Sequence, residues 1–236
     1  MIHNTPRIGN FTSSEIYKLM SNGKAAGTLG KPALTYIQEK NIERKLGRCL
    51  NDIGTAKPML WGKMCESVAF DLLGLDYSLT SLDSIVHERI DFWSGSPDGS
   101  NKDAVAEIKC PFTVKSFAIF SECSTIEEVR ENHDDGEKYY WQCVSNAILL
   151  NKEYAELIIY CPYKSELDKI REACEDFDGN ANKVAWIAFA EDDDLPYILD
   201  GGHYKNLHII RFKVPKEDVE LLTNRVRLAG ESLIKL

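Results

Sequence analysis

The feature that most constrains this chain is a change of hydrophobic period near its middle. Met64, Val68, Ala69, Leu72 and Leu73 recur at helical spacing, so Leu60–Leu75 is predicted to be an amphipathic helix. From Ser84 the period becomes two, through Ile85-Val86-His87 and then Ile90-Asp91-Phe92-Trp93. A turn at Ser100-Asn101-Lys102-Asp103 leads into a third strand, Ala104–Cys110, which Pro111 ends. Beyond it the pattern predicts a helix over Tyr139–Leu150, a buried strand over Leu157–Cys161 and a polar helix over Ser165–Phe177. Further strands follow at Val184–Ala190 and Leu207–Val214, and Pro215 opens a closing helix, Lys216–Ile234. This order describes one α/β domain around a mixed sheet.

The N-terminal part is helical. Thr12-Ser13-Ser14-Glu15 is predicted to be a capping box, with Thr12 as N-cap, opening a short helix towards Met20. A loop rich in Gly and Lys precedes a second helix from Pro32 to about Leu50. With 236 residues, 44% of them hydrophobic, and no repeat, low-complexity tract or Pro/Ser-rich linker, a single domain over 1–236 is expected.

Charge is distributed unevenly. The whole chain carries −9, yet residues 1–64 hold ten basic and four acidic residues, a local +6, and the remainder is −15. Such asymmetry hints at a surface facing a polyanion, with a solvated helix face the plainer reading of Lys40–Arg48. The seven cysteines contain no CxxC pair, which argues against a disulfide framework and against a structural zinc or iron–sulfur site. His203 and His208, five apart in a Gly-rich, strand-like context, suit no helical metal pair. Apolar runs such as Ala147–Leu150 fall far short of the ~20 residues that span a bilayer. No N-terminal stretch pairs a basic flank with an apolar core, so a cytoplasmic protein without membrane contact is expected.

Ser96-Pro97-Asp98-Gly99 and Glu107-Ile108-Lys109 carry the chemistry. Glu107 and Lys109 lie two apart on a strand, so both side chains leave one face. Asp98, on the preceding hairpin arm, is placed to bring its carboxylate beside that of Glu107. Two converging carboxylates repel unless a hard cation lies between them, and magnesium takes one or two carboxylates with waters and a phosphate oxygen. A lysine beside them orients a water and offsets charge on phosphorus.

These segments resemble the PD-(D/E)xK nucleases, and within them the phage lambda exonuclease, or YqaJ-like viral recombinase, group. Three more segments are similar in the same order: Arg7-x-Gly9-x-x-Thr12-x-Ser14, Gly62-x-x-x-Glu66 and Tyr140-Trp141-Gln142. The likeness spans residues 7–142. It implies a restriction-endonuclease-like core, a central mixed sheet flanked by helices, with the basic segment of about 1–64 packed on it. Asp98, Glu107 and the Ile108 carbonyl would ligate Mg2+, with Mn2+ able to substitute, and Glu66 would face a second metal or its water shell. Lys109 would position the attacking water, and Gln142 would help hold that water or the scissile phosphate. Arg7 and Ser14 would bind a terminal 5′-phosphate, with Ser96 and Lys115 as further DNA contacts. Ser14 also falls in the first turn of the expected helix, whose free N–H groups favour an anion. Where some members carry a second glutamine two positions after the first, this chain has Val144.

The implied activity is 5′→3′ exonuclease digestion of linear duplex DNA, leaving a 3′ single strand for an annealing protein. The implied assembly is a ring-shaped homotrimer, in a bacterial host's cytoplasm if the gene is phage-borne. Other readings are an endonuclease of the same fold, which has no need of the Arg7–Ser14 segment, and a non-catalytic DNA-binding subunit, which would be free to lose Asp98, Glu107 or Lys109. An iron–sulfur nuclease would need a C-terminal cysteine cluster, and no cysteine follows Cys174.

Overall fold

The computed structural model describes residues 7–50, 56–80, 84–177 and 179–235. Of the basic N-terminal segment, residues 1–6 and 51–55 lie outside these. The chain opens with β1 (Phe11–Thr12), a 3-10 helix over Ser13–Met20, then α1 (Lys31–Leu46) and α2 (Lys57–Asp71). Strands β2 (Ser78–Leu79), β3 (Ile85–His87), β4 (Ile90–Gly95), β5 (Gly99–Ser100) and β6 (Ala104–Lys109) follow. Helices α3 (Val114–Ser121), α4 (Ile126–Asn132) and α5 (Gly136–Leu150) lead to β7 (Tyr154–Tyr160). The chain closes with α6 (Leu167–Glu175), α7 (Ala185–Ala188), β8 (Leu207–Lys213) and α8 (Lys216–Gly230).

The expected α/β architecture is present, and its strands divide between two mixed sheets, ordered β1-β4-β3 and β2-β5-β6-β7-β8. Strands β6 and β7 run parallel, with Glu107 beside Leu157 and Lys109 beside Ile159, and α3–α5 make the crossover between them. Both central strands are buried on both faces, which explains their near-continuous apolar runs. On one face Val105, Leu157 and Ile159 pack with Cys143, Val144 and Ala147 of α5. On the other, Ala106, Ile108, Ile158 and Tyr160 pack with Trp61, Met64 and Cys65 of α2 and Leu167 and Ile170 of α6. By strand alternation Glu107 and Lys109 share the α5 face with Val105. No helix among the described residues is long and apolar enough to cross a membrane.

Three expectations need correction. Val184–Ala190 is no strand but a 3-10 turn, Ala181–Lys183, followed by α7: Val184 and Ile187, three apart, point inward while Phe189 is exposed. Thr12 makes no capping hydrogen bond. It belongs to β1, paired parallel with Trp93 and Ser94 of β4, and its N–H donates to Tyr36 Oη at 2.9 Å. Glu15, freed from capping, pairs with Lys18. A capping box does occur at Thr125 and Glu128, starting α4 inside a stretch whose acidity hid its helices. Finally, Lys40–Arg48 is a solvated cationic face only in part: Lys45 and Arg48 are exposed, but Lys40 and Glu43 are buried against each other at 2.9 Å, and Arg44 is occupied by backbone carbonyls.

Candidate active site

The site forms where a short strand stops beside a longer one. β5 pairs antiparallel with β6 only at Gly99–Ala106 and Ser100–Val105. Asp98, one residue before β5, therefore stands opposite Glu107, and the edge of β6 is open from there on. The Ile108 N–H, which a longer β5 would have used, donates to Asp98 Oδ2 at 2.7 Å. Sequence proximity and hairpin geometry alone thus bring the two carboxylates together.

Glu107 is 2% exposed, and a buried carboxylate needs donors. Lys109 Nζ reaches its Oε1 at 2.5 Å, and Gln142 Nε2 donates to the same oxygen. Asn146 Nδ2 donates to Oε2 at 2.7 Å. Gln142 and Asn146 lie four apart on α5, hence on one helix face, turned onto β6. The Lys109 ammonium also stands 5.1 Å from the centre of the Tyr139 ring.

Glu66, on α2, lines the same cleft as Asp98, near enough for its charge to act on the Asp98 carboxyl. Burial, followed by the charge of Glu66, pushes Asp98 up to about 7. Burial and then Asp98 push Glu107 up to about 7, and burial and then Glu107 raise Glu66. Burial would lower Lys109, but Glu107 and Asp98 outweigh it and hold the ammonium charged.

Among the described residues no three His, Cys, Asp or Glu side chains are already gathered as a metal-ligand set. Asp98 and Glu66 form one pair, and Glu107 is held by nitrogen donors. The donor chemistry still fits a hard divalent cation: every available ligand is a carboxylate or backbone oxygen. A cation would also offset the burial and the mutual repulsion that together raise all three carboxyls.

A cleft of about 1200 Å3 collects Arg7, Ser14, Glu66, Asp98, Ile108, Lys109 and Gln142, seven of the ten side chains and backbone groups expected to act, and an eighth, Glu107, lies beneath its floor. The two that do not reach it are Ser96 and Lys115. The Ser96 hydroxyl is paired with Ser84 Oγ at 2.8 Å, because the link from β4 to β5 turns it to the second sheet. Lys115 is exposed in the first turn of α3, where the next residue, Ser116, faces the cleft instead.

Solved structures similar to this chain include two exonucleases, one of them in two forms. The alkaline exonuclease LHK-Exo from Laribacter hongkongensis matches with a TM-score of 0.60 at 17% identity, covering 96% of this chain and 89% of that one. The same exonuclease in complex with dAMP matches with a TM-score of 0.60 over 97% and 90%. A phage-related exonuclease from Haemophilus somnus 129PT matches with a TM-score of 0.66 at 16% identity, covering 94% and 92%. The fold is shared with these nucleases over nearly the whole length of both partners. No protein-family model matches the chain, and no curated protein matches it.

Sequence reasoning overlooked Asn146, Ser116 and His133. Asn146 was signalled only by its place one helical turn beyond Gln142. Val144, two beyond Gln142, is fully buried in the core, so the second amide comes from position 146. His133 lines the cleft, stacks on Phe120 with ring centres 3.8 Å apart, and is 2.9 Å from Ser116 Oγ. Its Nδ1 accepts the Asp135 N–H.

Proposed function

We propose that this chain is a metal-dependent DNA exonuclease that hydrolyses linear duplex from its 5′ ends, processively, leaving 3′ single-stranded tails for phage-type recombination. One observation carries this reading: Glu107, buried and held by Lys109, Gln142 and Asn146, stands opposite Asp98 just beneath the floor of the cleft that Arg7 and Ser14 also line. The shared fold with exonucleases supports it.

Asp98, Glu107 and the Ile108 carbonyl would hold a Mg2+ or Mn2+ ion, with Glu66 at a second ion or its waters, supplying Lewis-acid activation of water and charge on the phosphate. Lys109 orients the attacking water and offsets charge that develops on the phosphate oxygens. Gln142 and Asn146 keep the Glu107 carboxylate from turning, so the reacting groups are set before substrate arrives. The water oxygen bonds to phosphorus, and the P–O3′ bond breaks. The remaining strand keeps a new 5′-phosphate, which is again a ligand for Arg7 and Ser14. That identity of product end and substrate end makes repeated cleavage without release chemically natural.

The partners proposed with this activity are a single-strand annealing protein and further copies of the chain in a trimeric ring, in the bacterial cytoplasm. The test is digestion of end-labelled linear duplex with Mg2+, beside a closed circle of the same DNA. Release of mononucleotides from the linear form alone supports the reading. Ready cleavage of the circle would assign an endonuclease instead, and no cleavage of either a non-catalytic DNA-binding subunit.

A further inference from the structure

The basic helix α1 has no place in the proposed chemistry, yet its residues are spent on one short segment. Arg7–Asn10 is a turn closed by the Asn10 N–H to the Arg7 carbonyl at 3.4 Å. At its centre Gly9 has φ +65°, a left-handed conformation that favours glycine. Both backbone groups of Gly9 are taken by adjacent residues of α1: its N–H donates to Glu43 Oε2 at 2.9 Å, and its carbonyl accepts from Arg44 Nε at 2.9 Å. Arg44 lies so close over the turn that a Cβ at position 9 would collide with its Cγ. Three residues further on, the Thr12 N–H donates to Tyr36 on the same helix.

Glu43 is itself fixed. It is 4% exposed, and besides Gly9 it accepts from Lys40 Nζ at 2.9 Å and from the Leu50 N–H at 3.2 Å. Arg44 is also fixed at its far end, where Nη1 donates to the Ile234 carbonyl at 2.9 Å. Asn41 holds the same tail by two bonds, to the Ser232 carbonyl at 2.9 Å and from the Ile234 N–H at 2.8 Å. One guanidinium therefore ties the turn next to Arg7 to the C-terminal tail, two segments more than 200 residues apart in sequence.

We infer that Glu43 and Arg44 are positioning residues for the terminal-phosphate site: they hold the Gly9 turn, and through it set where Arg7 enters the cleft. This rests on the reading of Arg7 as a 5′-phosphate ligand given above. Arg7 makes its contact from a turn rather than from a helix or strand, so its reach depends on how firmly that turn is held. A misplacement of about 1 Å at such a contact is worth up to about a hundredfold in rate.

The experiment compares cleavage of 5′-phosphorylated and 5′-hydroxyl duplexes by wild type, Arg44→Met, Arg44→Lys and Arg7→Ala. Arg44→Met keeps the apolar stem and removes both donors. It should lower the preference for the phosphorylated end by about tenfold, within the range such misplacements produce, while cleaving the hydroxyl end within about threefold of wild type. Arg44→Lys has one ammonium and no fork, so it should hold one carbonyl and restore the preference in part. That graded rescue is a result which loss of packing alone would not give. A wild-type preference in Arg44→Met, together with its loss in Arg7→Ala, overturns the inference and leaves the phosphate site standing. An unchanged preference in Arg7→Ala overturns the site and the inference with it. Should Arg44→Met not fold, Arg44→Lys decides alone: a preference equal to wild type overturns the inference, and a reduced one supports it.

Discussion

Asn146→Ala separates a positioning role from a structural one, because two opposing contributions of similar size can be assigned to that side chain. Its amide donates to Glu107 Oε2 at 2.7 Å, a bond to a buried carboxylate. Losing a bond of that kind removes about 1.5–3 kcal/mol. Its other end works the opposite way. Asn146 Oδ1 is buried with no hydrogen-bond partner among the described residues, wedged against the Gly95 backbone, where a Cβ would stand 2.7 Å from it. An orphaned buried acceptor carries a penalty of about 1–3 kcal/mol, and alanine abolishes it. The two nearly cancel, so the net loss should be about 1 kcal/mol, the ordinary size for a point substitution. For a chain of this length that lowers Tm by about 2–4 °C. Activity should respond more strongly. Lys109 and Gln142 both hold Oε1, and no other donor among the described residues reaches Oε2, so the carboxylate can rotate. Loss of an outer hydrogen bond to a ligating group typically reduces activity about 10–100-fold. The assay pairs a thermal melt in EDTA with cleavage of end-labelled linear duplex at saturating Mg2+. A Tm lower by more than about 10 °C, which is about 3 kcal/mol or more on the same scale, would show that Asn146 is chiefly structural. Cleavage within about twofold of wild type, a difference of only about 0.4 kcal/mol in the barrier, would show that Glu107 does not depend on it.

Three further outcomes follow from the same geometry. Lys109→Ala should reduce cleavage by about 10²–10³, the usual loss for one preorganised electrostatic group, while filter binding of duplex ends persists; turnover within tenfold of wild type would remove Lys109 from the chemistry. Asp98→Ala and Glu107→Ala should each abolish the heat of Mg2+ or Mn2+ binding in calorimetry with DNA present, and an undiminished binding heat in both would displace the cation from these carboxylates. Gly95→Ala should destabilise the fold by about 1–3 kcal/mol in denaturant melts, the range for overpacking, because its Cβ would press on Ser13 Oγ, Leu149 Cδ1 and Asn146 Oδ1; a stability equal to wild type would mean that this junction yields easily.

The sequence by itself determined whatever depends on neighbours along the chain. The turn at Ser100–Asp103 joins β5 to β6 in a hairpin, and a hairpin has few registers, so Asp98 opposite Glu107 and Lys109 beside it follow from local geometry, whereas the period-two run before it was sent to the other sheet. The helix bearing Gln142 was legible for the same reason, as an apolar pattern with a single period. Tertiary packing decided the rest. Asn146 meets Glu107 across 39 residues only because α5 lies on that face of β6. The Val184–Ala190 run is too short for its period to be distinguished from sequence, and the side chains packed around it selected a helix. Thr12 offered a helix cap by local chemistry, but pairing with β4 and the Tyr36 hydroxyl claimed its backbone instead. Ser96 and Lys115 were turned away by the direction of a strand link and the start of a helix, neither of which residue identity encodes. The basic run on α1 read as a surface for polyanions because sequence shows charge but not burial. Folding placed Lys40 against Glu43 and stretched Arg44 between the two ends of the chain, and only contacts between distant segments could do that.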